Sequence, residues 1–178
     1  KEKDINVDLA DFNKKMSEHQ KLSQTSSAGM FKGGLANHEE KTIKHHTAHH
    51  LLLAALKEVI GPEVKQRGSN INEERLRIDF LCDHKLTDEE KKKVEDWVNE
   101  KIQMELDVVR KEMPLTEAEK IGAEMEFGAK YPDIVSVYFI EDKEGKPISK
   151  EFCGGPHVSN TKELGHFKIL KEEAVSAG

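Results

Sequence analysis

The sequence has few cysteines, no long apolar run and no excess of positive charge. Its two cysteines, Cys82 and Cys153, cannot form a disulfide framework, which is typical of a protein from a reducing cytosol. No apolar stretch approaches the roughly 20 residues that a membrane-spanning helix requires, and the longest candidate runs only from Leu51 to Leu56. No secretory signal is recognisable. We therefore expect a cytoplasmic protein without a membrane partner.

The charge balance restricts how the chain would bind nucleic acid. It has 28 basic and 34 acidic side chains, a formal net charge of −6 and a pI of about 5.9. This balance argues against binding by bulk electrostatic attraction, although a local positive groove on an acidic body is compatible with it. We therefore expect any nucleic-acid binding by this chain alone to be weak and sensitive to salt.

The length of 178 residues suits one domain with a helical extension. Apolar residues recur at helical spacing from about 8 to 22, and a Ser-, Gly- and Ala-rich segment follows, which is either a flexible tether or an ordered turn. We therefore predict an N-terminal helix and linker over residues 1–37 and a main domain over residues 38–178. Because the first residue is Lys1 and not Met, we expect the chain to be part of a longer protein.

Helix and strand signals alternate along the main domain without the regular period of a doubly wound sheet. Thr87 and Glu90 form a capping box that predicts a helix start, and Gly61-Pro62 predicts a helix end. Alternating apolar and charged residues in Leu76–Phe80 predict a half-solvated antiparallel strand. The fold class is therefore predicted to be α+β, with a mostly antiparallel sheet packed with helices. The predicted helices are residues 40–60, 87–105 and 114–127, and the predicted strands are residues 63–69, 75–81, 107–111, 134–140, 148–152 and 166–170.

Two His and Cys pairs, far apart in the sequence, form a pattern typical of a metal site. His46 and His50 are four residues apart on a predicted helix, so both imidazoles lie on one face. Cys153 and His157 flank a Gly-Gly-Pro segment, in which the glycines let the backbone bend and Pro156 stiffens the turn. One thiolate and three imidazoles suit zinc in softness and in number. Each pair alone is a weak signal, but their combination is moderately specific.

Periodicity does not decide which histidine pair faces the interior. His45 and His49 have the same spacing as His46 and His50. The face of His45 and His49 continues through two leucines, which slightly favours that pair for a buried site. A zinc protease is a poor interpretation, because its HExxH pattern needs a glutamate as general base where this chain has Thr47.

Several blocks of the sequence resemble the editing domain of alanyl-tRNA synthetases, which is shared with freestanding editing proteins and, more distantly, with threonyl-tRNA synthetases. The family pattern H-[TS]-A-x-H-L-L matches residues 46–52, and C-G-G-[TP]-H-V matches residues 153–158. The resemblance covers about residues 31 to 178 and keeps its blocks in order, which makes it highly specific. The further blocks, similar to Q-[KR]-G-S, L-R-F-D-F, F-G-E-K-Y and G-x-F-K-I, lie at residues 66–69, 76–80, 127–131 and 165–169.

The resemblance implies a two-layer editing-domain architecture and assigns His46, His50, Cys153 and His157 as ligands of Zn2+. It also implies hydrolysis of seryl- or glycyl-tRNA(Ala), because a pocket that accepts alanine cannot strongly reject glycine or an analogue that merely adds a hydroxyl. The implied partners are the acceptor end of tRNA(Ala) and the remainder of a synthetase. Gln66, which matches a family residue associated with activity, and Cys153 are the expected catalytic residues.

Two other functions remain open from the sequence. One is a zinc-stabilised module that binds tRNA without catalysis, and the other is a threonyl-type editing domain that works without zinc. Pro156 is typical of the threonine branch, whereas the Q-R-G-S and L-R-I-D-F blocks favour the alanine branch. The basic side chains Lys65, Arg67, Arg75 and Arg77 are candidates for contact with the tRNA backbone, and a solvated sheet face is the equally supported alternative.

Overall fold

The computed structural model describes Lys15, Leu35, residues 37–125 and residues 130–174. The described residues from Leu35 onward belong to one compact unit. Apart from Lys15, the predicted helix over residues 8–22 lies outside the described residues, as do most of the predicted linker and most of the F-G-A-K-Y block. The division at residue 37 therefore stays a prediction. None of the helices described is long and apolar enough to cross a membrane.

The described part of the chain combines helices with antiparallel sheets, which confirms the predicted α+β class. Two strands form one sheet, in the order β1-β2, and three form the other, in the order β3-β4-β5. In chain order, the elements are α1 (Glu40–Val59), β1 (Gln66–Ile71), β2 (Leu76–Phe80), α2 (Asp88–Gln103), β3 (Asp107–Pro114), α3 (Leu115–Lys120), β4 (Ile134–Glu141), β5 (Pro147–Phe152) and a 3-10 helix (Thr161–Leu164).

Helix α1 lies at the centre of the described unit. It contacts α2, the 3-10 helix and strands of both sheets. Side chains on more than one of its faces are therefore buried, as expected of a helix in the interior. The helix ends where Gly61 takes a φ of +154° and Pro62 cannot continue a helix. Its second half packs into a core cluster with α2, which includes Leu51, Leu56, Val94, Val98 and Ile102.

Strand β4 is the central strand of the three-stranded sheet and pairs with both β3 and β5. Its side chains at Val135, Val137 and Phe139 alternate onto one buried face, where they form a second apolar cluster. Strand β5 then carries the chain to Phe152, so that the Cys153 loop begins at the end of the sheet beside α1. The sheet thus fixes where the downstream half of the histidine and cysteine pattern lies.

Helix α3 is much shorter than the helix predicted over residues 114–127. It ends at Lys120, and Gly122 then takes a φ of +66°, which stops the helix. The following residues run beside β5, where Glu124 forms a parallel bridge with Glu151. The amide of Glu124 donates to the Lys150 carbonyl, and the amide of Phe152 donates to the Glu124 carbonyl. Pairing with β5 therefore replaces the predicted helical turns.

The predicted strand over residues 166–170 is also wrong, because this segment is irregular. Backbone groups of Phe167 and Ile169 bond to side chains of α2, and none of the described strands pairs with this segment. The Asn99 side chain bonds both backbone groups of Phe167, each at 2.9 Å, and the Glu95 carboxylate accepts from the Ile169 amide at 2.8 Å. Side-chain partners thus satisfy polar groups that would otherwise need a strand.

Candidate metal centre

Helix α1 supplies two histidines to the candidate site. His46 and His50 lie one turn apart, and both are buried, with 2% and 4% of their surface exposed. Buried imidazoles need partners for their ring nitrogens, because an unpaired polar group in the interior is costly. Those partners come from the loop that follows β5.

The loop after β5 turns sharply between Cys153 and His157. The Cys153 amide donates to the Ser136 carbonyl at 3.1 Å, which holds the residue against β4. Gly155 takes a φ of +67°, and a Cβ atom there would collide with the Tyr138 hydroxyl. Glycine is therefore required both by conformation and by space. The turn brings the His157 ring back beside the cysteine, with the Tyr138 ring 4.3 Å away between centroids.

The structure brings the four predicted ligands together. The Cys153 Sγ atom lies 3.3 Å from His46 Nε2 and 3.2 Å from His157 Nε2. The candidate ligand atoms of His46, His50, Cys153 and His157 all lie within 4.8 Å of one another. A tetrahedral zinc ion has S···N and N···N edges of about 3.6 and 3.3 Å. The four side chains therefore fit one zinc ion with only small adjustments.

Two of the imidazole rings are fixed by hydrogen bonds on the side away from the sulfur. His46 Nδ1 donates to the Pro156 carbonyl at 3.0 Å. Thr47 Oγ1 donates to the Ile43 carbonyl and accepts from His157 Nδ1, at 3.3 and 3.1 Å. It also accepts the amide of Val158 at 3.2 Å. Both rings thus present an unprotonated Nε2 towards the cysteine, the tautomer that a metal ligand requires.

The alternative histidine pair does not reach the cysteine loop together. His45 is half-buried, and its Nδ1 bonds the Asn72 carbonyl at 2.6 Å, at the hairpin turn between β1 and β2. His49 is buried, but its Nε2 has no hydrogen-bond partner among the described residues. It forms a different potential ligand group, with His50 and Glu151. Periodicity slightly favoured His45 and His49 for a buried site, but in the structure His46 and His50 are the pair that faces the cysteine loop.

Gln66 and Cys82 are not members of the four-residue group. Gln66 is the first residue of β1 and is half-buried, and its side chain forms no hydrogen bond with the residues that the structure describes. Its catalytic role stays a prediction. Cys82 is half-buried and packs against the core, as expected of a small core residue.

Sequence comparisons identify the family. The sequence profile described as "Threonyl and Alanyl tRNA synthetase second additional domain" matches residues 135–178. The alanine–tRNA ligase of Treponema denticola is 49% identical over 177 residues, which is 99% of this chain. That of Borreliella burgdorferi is 51% identical over 174 residues, or 98% of the chain. The chain belongs to the tRNA synthetase second additional domain family.

The chain spans less than a third of these relatives, covering 29% of the first and 28% of the second. A third relative, the alanine–tRNA ligase of Listeria monocytogenes, is 49% identical over 138 residues, which is 78% of this chain and 15% of the relative. The profile match of this domain family includes the C-G-G-P-H loop. The H-T-A-H-H segment lies outside that match but within the alignments to the Treponema denticola and Borreliella burgdorferi relatives, which cover nearly the whole chain.

Sequence reasoning missed two residues that contact the predicted ligands in this family member. Thr47 served only to exclude a protease, although its hydroxyl joins α1 to His157 and Val158. Glu151 was not singled out, yet its carboxylate lies 3.7 Å from His50 Nδ1 and is buried. The sequence did contain a signal for Glu151. It lies two residues before Cys153, and alternate residues of a strand share a face, so the two side chains are expected on the same side.

Burial keeps the clustered imidazoles neutral. Desolvation lowers the pKa of His46 to about 4 and that of His49 to about 3. Desolvation, followed by the neighbouring imidazoles, also lowers the pKa values of His50 and His157 well below the usual range. In contrast, desolvation raises the pKa of Glu151 to about 8. Neutral imidazoles at neutral pH are the form that binds metal ions.

The zinc-free protein is expected to lose stability between pH 7 and pH 5. Below pH 6.5, the usual pKa of histidine, His46 and His49 take up protons in the unfolded chain but stay neutral in the folded one. At pH 5 this difference lowers the free energy of unfolding by about 2 kcal/mol for each histidine. His50 and His157 act in the same direction. Glu151 acts oppositely, because its raised pKa favours folding at lower pH, and it offsets about 2–3 kcal/mol. The net loss is therefore at least about 1 kcal/mol.

Urea unfolding of chelator-treated protein at the two pH values measures this loss. The midpoint should fall at pH 5, with the same slope against urea concentration. An unchanged or higher midpoint at pH 5 would show that the imidazoles are not buried as neutral groups.

Proposed function

We propose that this chain is the hydrolytic editing domain of an alanine–tRNA ligase, which releases serine or glycine wrongly attached to tRNA(Ala). The observation that carries the proposal is the convergence of Cys153 with three histidines from distant parts of the chain. The relatives named alanine–tRNA ligase support the choice of tRNA(Ala) as partner. An enzyme that charges alanine needs a second site for glycine and serine, because its first pocket rejects them weakly.

We propose zinc as the cofactor, held by His46, His50, Cys153 and His157. A thiolate with three neutral imidazoles favours zinc over magnesium or calcium, which prefer oxygen ligands. When bound, zinc supplies a positive charge that orients or polarises the aminoacyl ester. With four protein ligands, the ion would have no position left for water, so in this proposal neighbouring groups hold the attacking water.

The reaction is the hydrolysis of an ester. The water oxygen bonds to the carbonyl carbon, and the bond from that carbon to the terminal ribose oxygen breaks. The ribose oxygen takes one proton of the water, the other is released, and the amino acid leaves as a carboxylate. Gln66 is our candidate for holding the water, since its amide both donates and accepts hydrogen bonds but does not take up a proton.

The β1–β2 hairpin is the proposed contact surface for the tRNA backbone. Lys65, Arg67, Arg75 and Arg77 are all exposed on or beside it. Arg77 also pairs with Asp79 at 3.1 Å, which reduces the charge it offers. With a net charge of −6 for the chain, these few side chains support weak binding that salt weakens further.

Release of serine from seryl-tRNA(Ala) tests the proposal directly. The zinc-loaded chain should release serine faster than the spontaneous rate, and correctly charged alanyl-tRNA(Ala) should be spared under the same conditions. Zinc at one equivalent without any release would instead favour a non-catalytic tRNA-binding module. Release by protein that contains no metal would favour the threonyl-type mechanism.

A further inference from the structure

Strand β5 directs a row of polar side chains towards α1. Ser149, Glu151 and Cys153 alternate along the chain, so they share the face that contacts this helix. All three are buried, with exposed fractions of 7%, 7% and 3%. Two polar residues in this position need an explanation, because a strand face in a core is usually apolar.

Glu151 faces His50, a predicted metal ligand, but the two side chains do not form an ion pair in this structure, because burial keeps the His50 imidazole neutral and raises the pKa of Glu151 to about 8. Its Oε1 atom lies 3.7 Å from His50 Nδ1, and the Ser149 hydroxyl donates to the same Oε1 at 2.9 Å. Lys57, which lies in the same region, pairs with the carboxylate of Glu124. The Glu151 carboxylate is therefore held by Ser149 and faces the imidazole of His50.

Two of the three candidate imidazoles have a hydrogen-bond partner on the ring nitrogen that faces away from the cysteine. His46 Nδ1 has the Pro156 carbonyl as partner, and His157 Nδ1 has the Thr47 hydroxyl. The third, His50, has the Glu151 Oε1 atom 3.7 Å from its Nδ1, just beyond hydrogen-bond distance. A carboxylate behind a metal-bound imidazole fixes the ring tautomer and increases the basicity of the coordinating nitrogen.

The charges of the site give the carboxylate a second effect. One thiolate and three neutral imidazoles around a divalent ion leave a net charge of +1 in a buried environment. An isolated buried charge is costly, and a nearby opposite charge offsets that cost. Ionisation of Glu151 would bring the group to neutrality, and the positive charge of a bound ion would favour that ionisation.

We propose that Glu151 is a positioning residue of the metal centre. When the ion is bound, its carboxylate accepts a hydrogen bond from the Nδ1–H of His50 and balances the charge of the ion. The inference rests on the zinc centre proposed above. Glu151 acts through His50 and does not itself bind the metal. The consequence is that metal affinity depends on a residue outside the four ligands.

Glu151→Gln tests this role, because it keeps the size and a hydrogen-bond acceptor and removes the charge. Competition with a chromophoric chelator should show zinc affinity reduced about 10- to 100-fold relative to wild type. The Co2+-substituted variant should show shifted d–d and sulfur-to-cobalt charge-transfer bands, because the His50 ring is no longer held in one orientation. The urea midpoint of the zinc-free variant should not fall. Glu112→Gln, an exposed position on β3, is the matched control and should behave as wild type.

The possible outcomes separate this inference from the proposal on which it rests. If wild-type protein binds no zinc, the proposed metal centre fails and Glu151 has nothing to position. If wild type binds zinc and Glu151→Gln binds it equally, with the same cobalt spectrum, the metal centre stands and the role of Glu151 is overturned.

Should Glu151→Gln fail to fold, Ser149→Ala tests the same role. Loss of its hydrogen bond to the carboxylate should weaken zinc binding about two- to tenfold, and an unchanged affinity would overturn the role.

Discussion

Cys153→Ala is expected to abolish zinc binding and to reduce serine release from seryl-tRNA(Ala) by at least about 100-fold. Changing a residue that only hydrogen-bonds to a metal ligand already costs up to about 100-fold, and Cys153 is itself a proposed ligand. Cys153 is buried and is the one thiol within reach of both His46 Nε2 and His157 Nε2 among the described residues. Its removal leaves three neutral imidazoles and no negative ligand to balance a divalent ion. Paired measurements of zinc content and initial rate of serine release check the prediction.

The second cysteine provides the matched control. Cys82 is half-buried and lies apart from the four-residue cluster, so Cys82→Ala should retain zinc and hydrolysis. His46→Ala should behave like Cys153→Ala, because it removes a ligand from the other half of the site. If Cys153→Ala and His46→Ala both hydrolysed seryl-tRNA(Ala) at the wild-type rate, the proposed site would be wrong.

Removal of zinc by a chelator should lower the thermal midpoint of the protein by roughly 8 to 16 °C. The metal would join α1 to the loop after β5, two segments more than 100 residues apart in the sequence. Zinc that binds only the folded chain stabilises it by about 4 kcal/mol when free zinc exceeds the dissociation constant a thousandfold. Scanning calorimetry with and without a chelator, at fixed protein concentration and pH, measures the shift.

The same experiment on Cys153→Ala shows whether the shift comes from this site. The variant should melt near the temperature of the chelated wild type and should not respond to the chelator. A wild-type midpoint that is the same with and without chelator would show that no metal links the two segments.

Local signals predicted the elements whose ends are fixed by nearby residues. The capping box at the start of α2 is present, with Thr87 and Glu90 bonded in both directions. Gly61 and Pro62 end α1 close to the predicted position. The alternation in Leu76–Phe80 corresponds to strand β2, with alternating half-buried and exposed side chains. In each case, the residues that determine the structure are within a few positions of it.

Tertiary partners decided the elements that the sequence did not predict. The helix expected over residues 114–127 is shortened because Glu124 pairs with β5. The segment at residues 166–170 has strand-like composition, but the side chains of Glu95 and Asn99 bond its backbone. Such partners are distant in the chain, so no local pattern reveals them.

The candidate site shows the same division. Motif spacing predicted that a histidine pair of α1 converges with Cys153 and His157, and the family resemblance chose His46 and His50 over their neighbours. Periodicity alone did not, because α1 is buried on several faces and His49 is as buried as His50. The contacts of Thr47 and Glu151 depend on how α1 packs against the end of β5.

The central claim is that one thiolate and three imidazoles bind a single zinc ion. Extended X-ray absorption fine structure of the zinc-loaded protein measures the donor atoms directly. We predict one sulfur at about 2.3 Å and three nitrogens at about 2.0–2.1 Å. A zinc environment without sulfur, in protein that retains Cys153 in reduced form, would contradict the account.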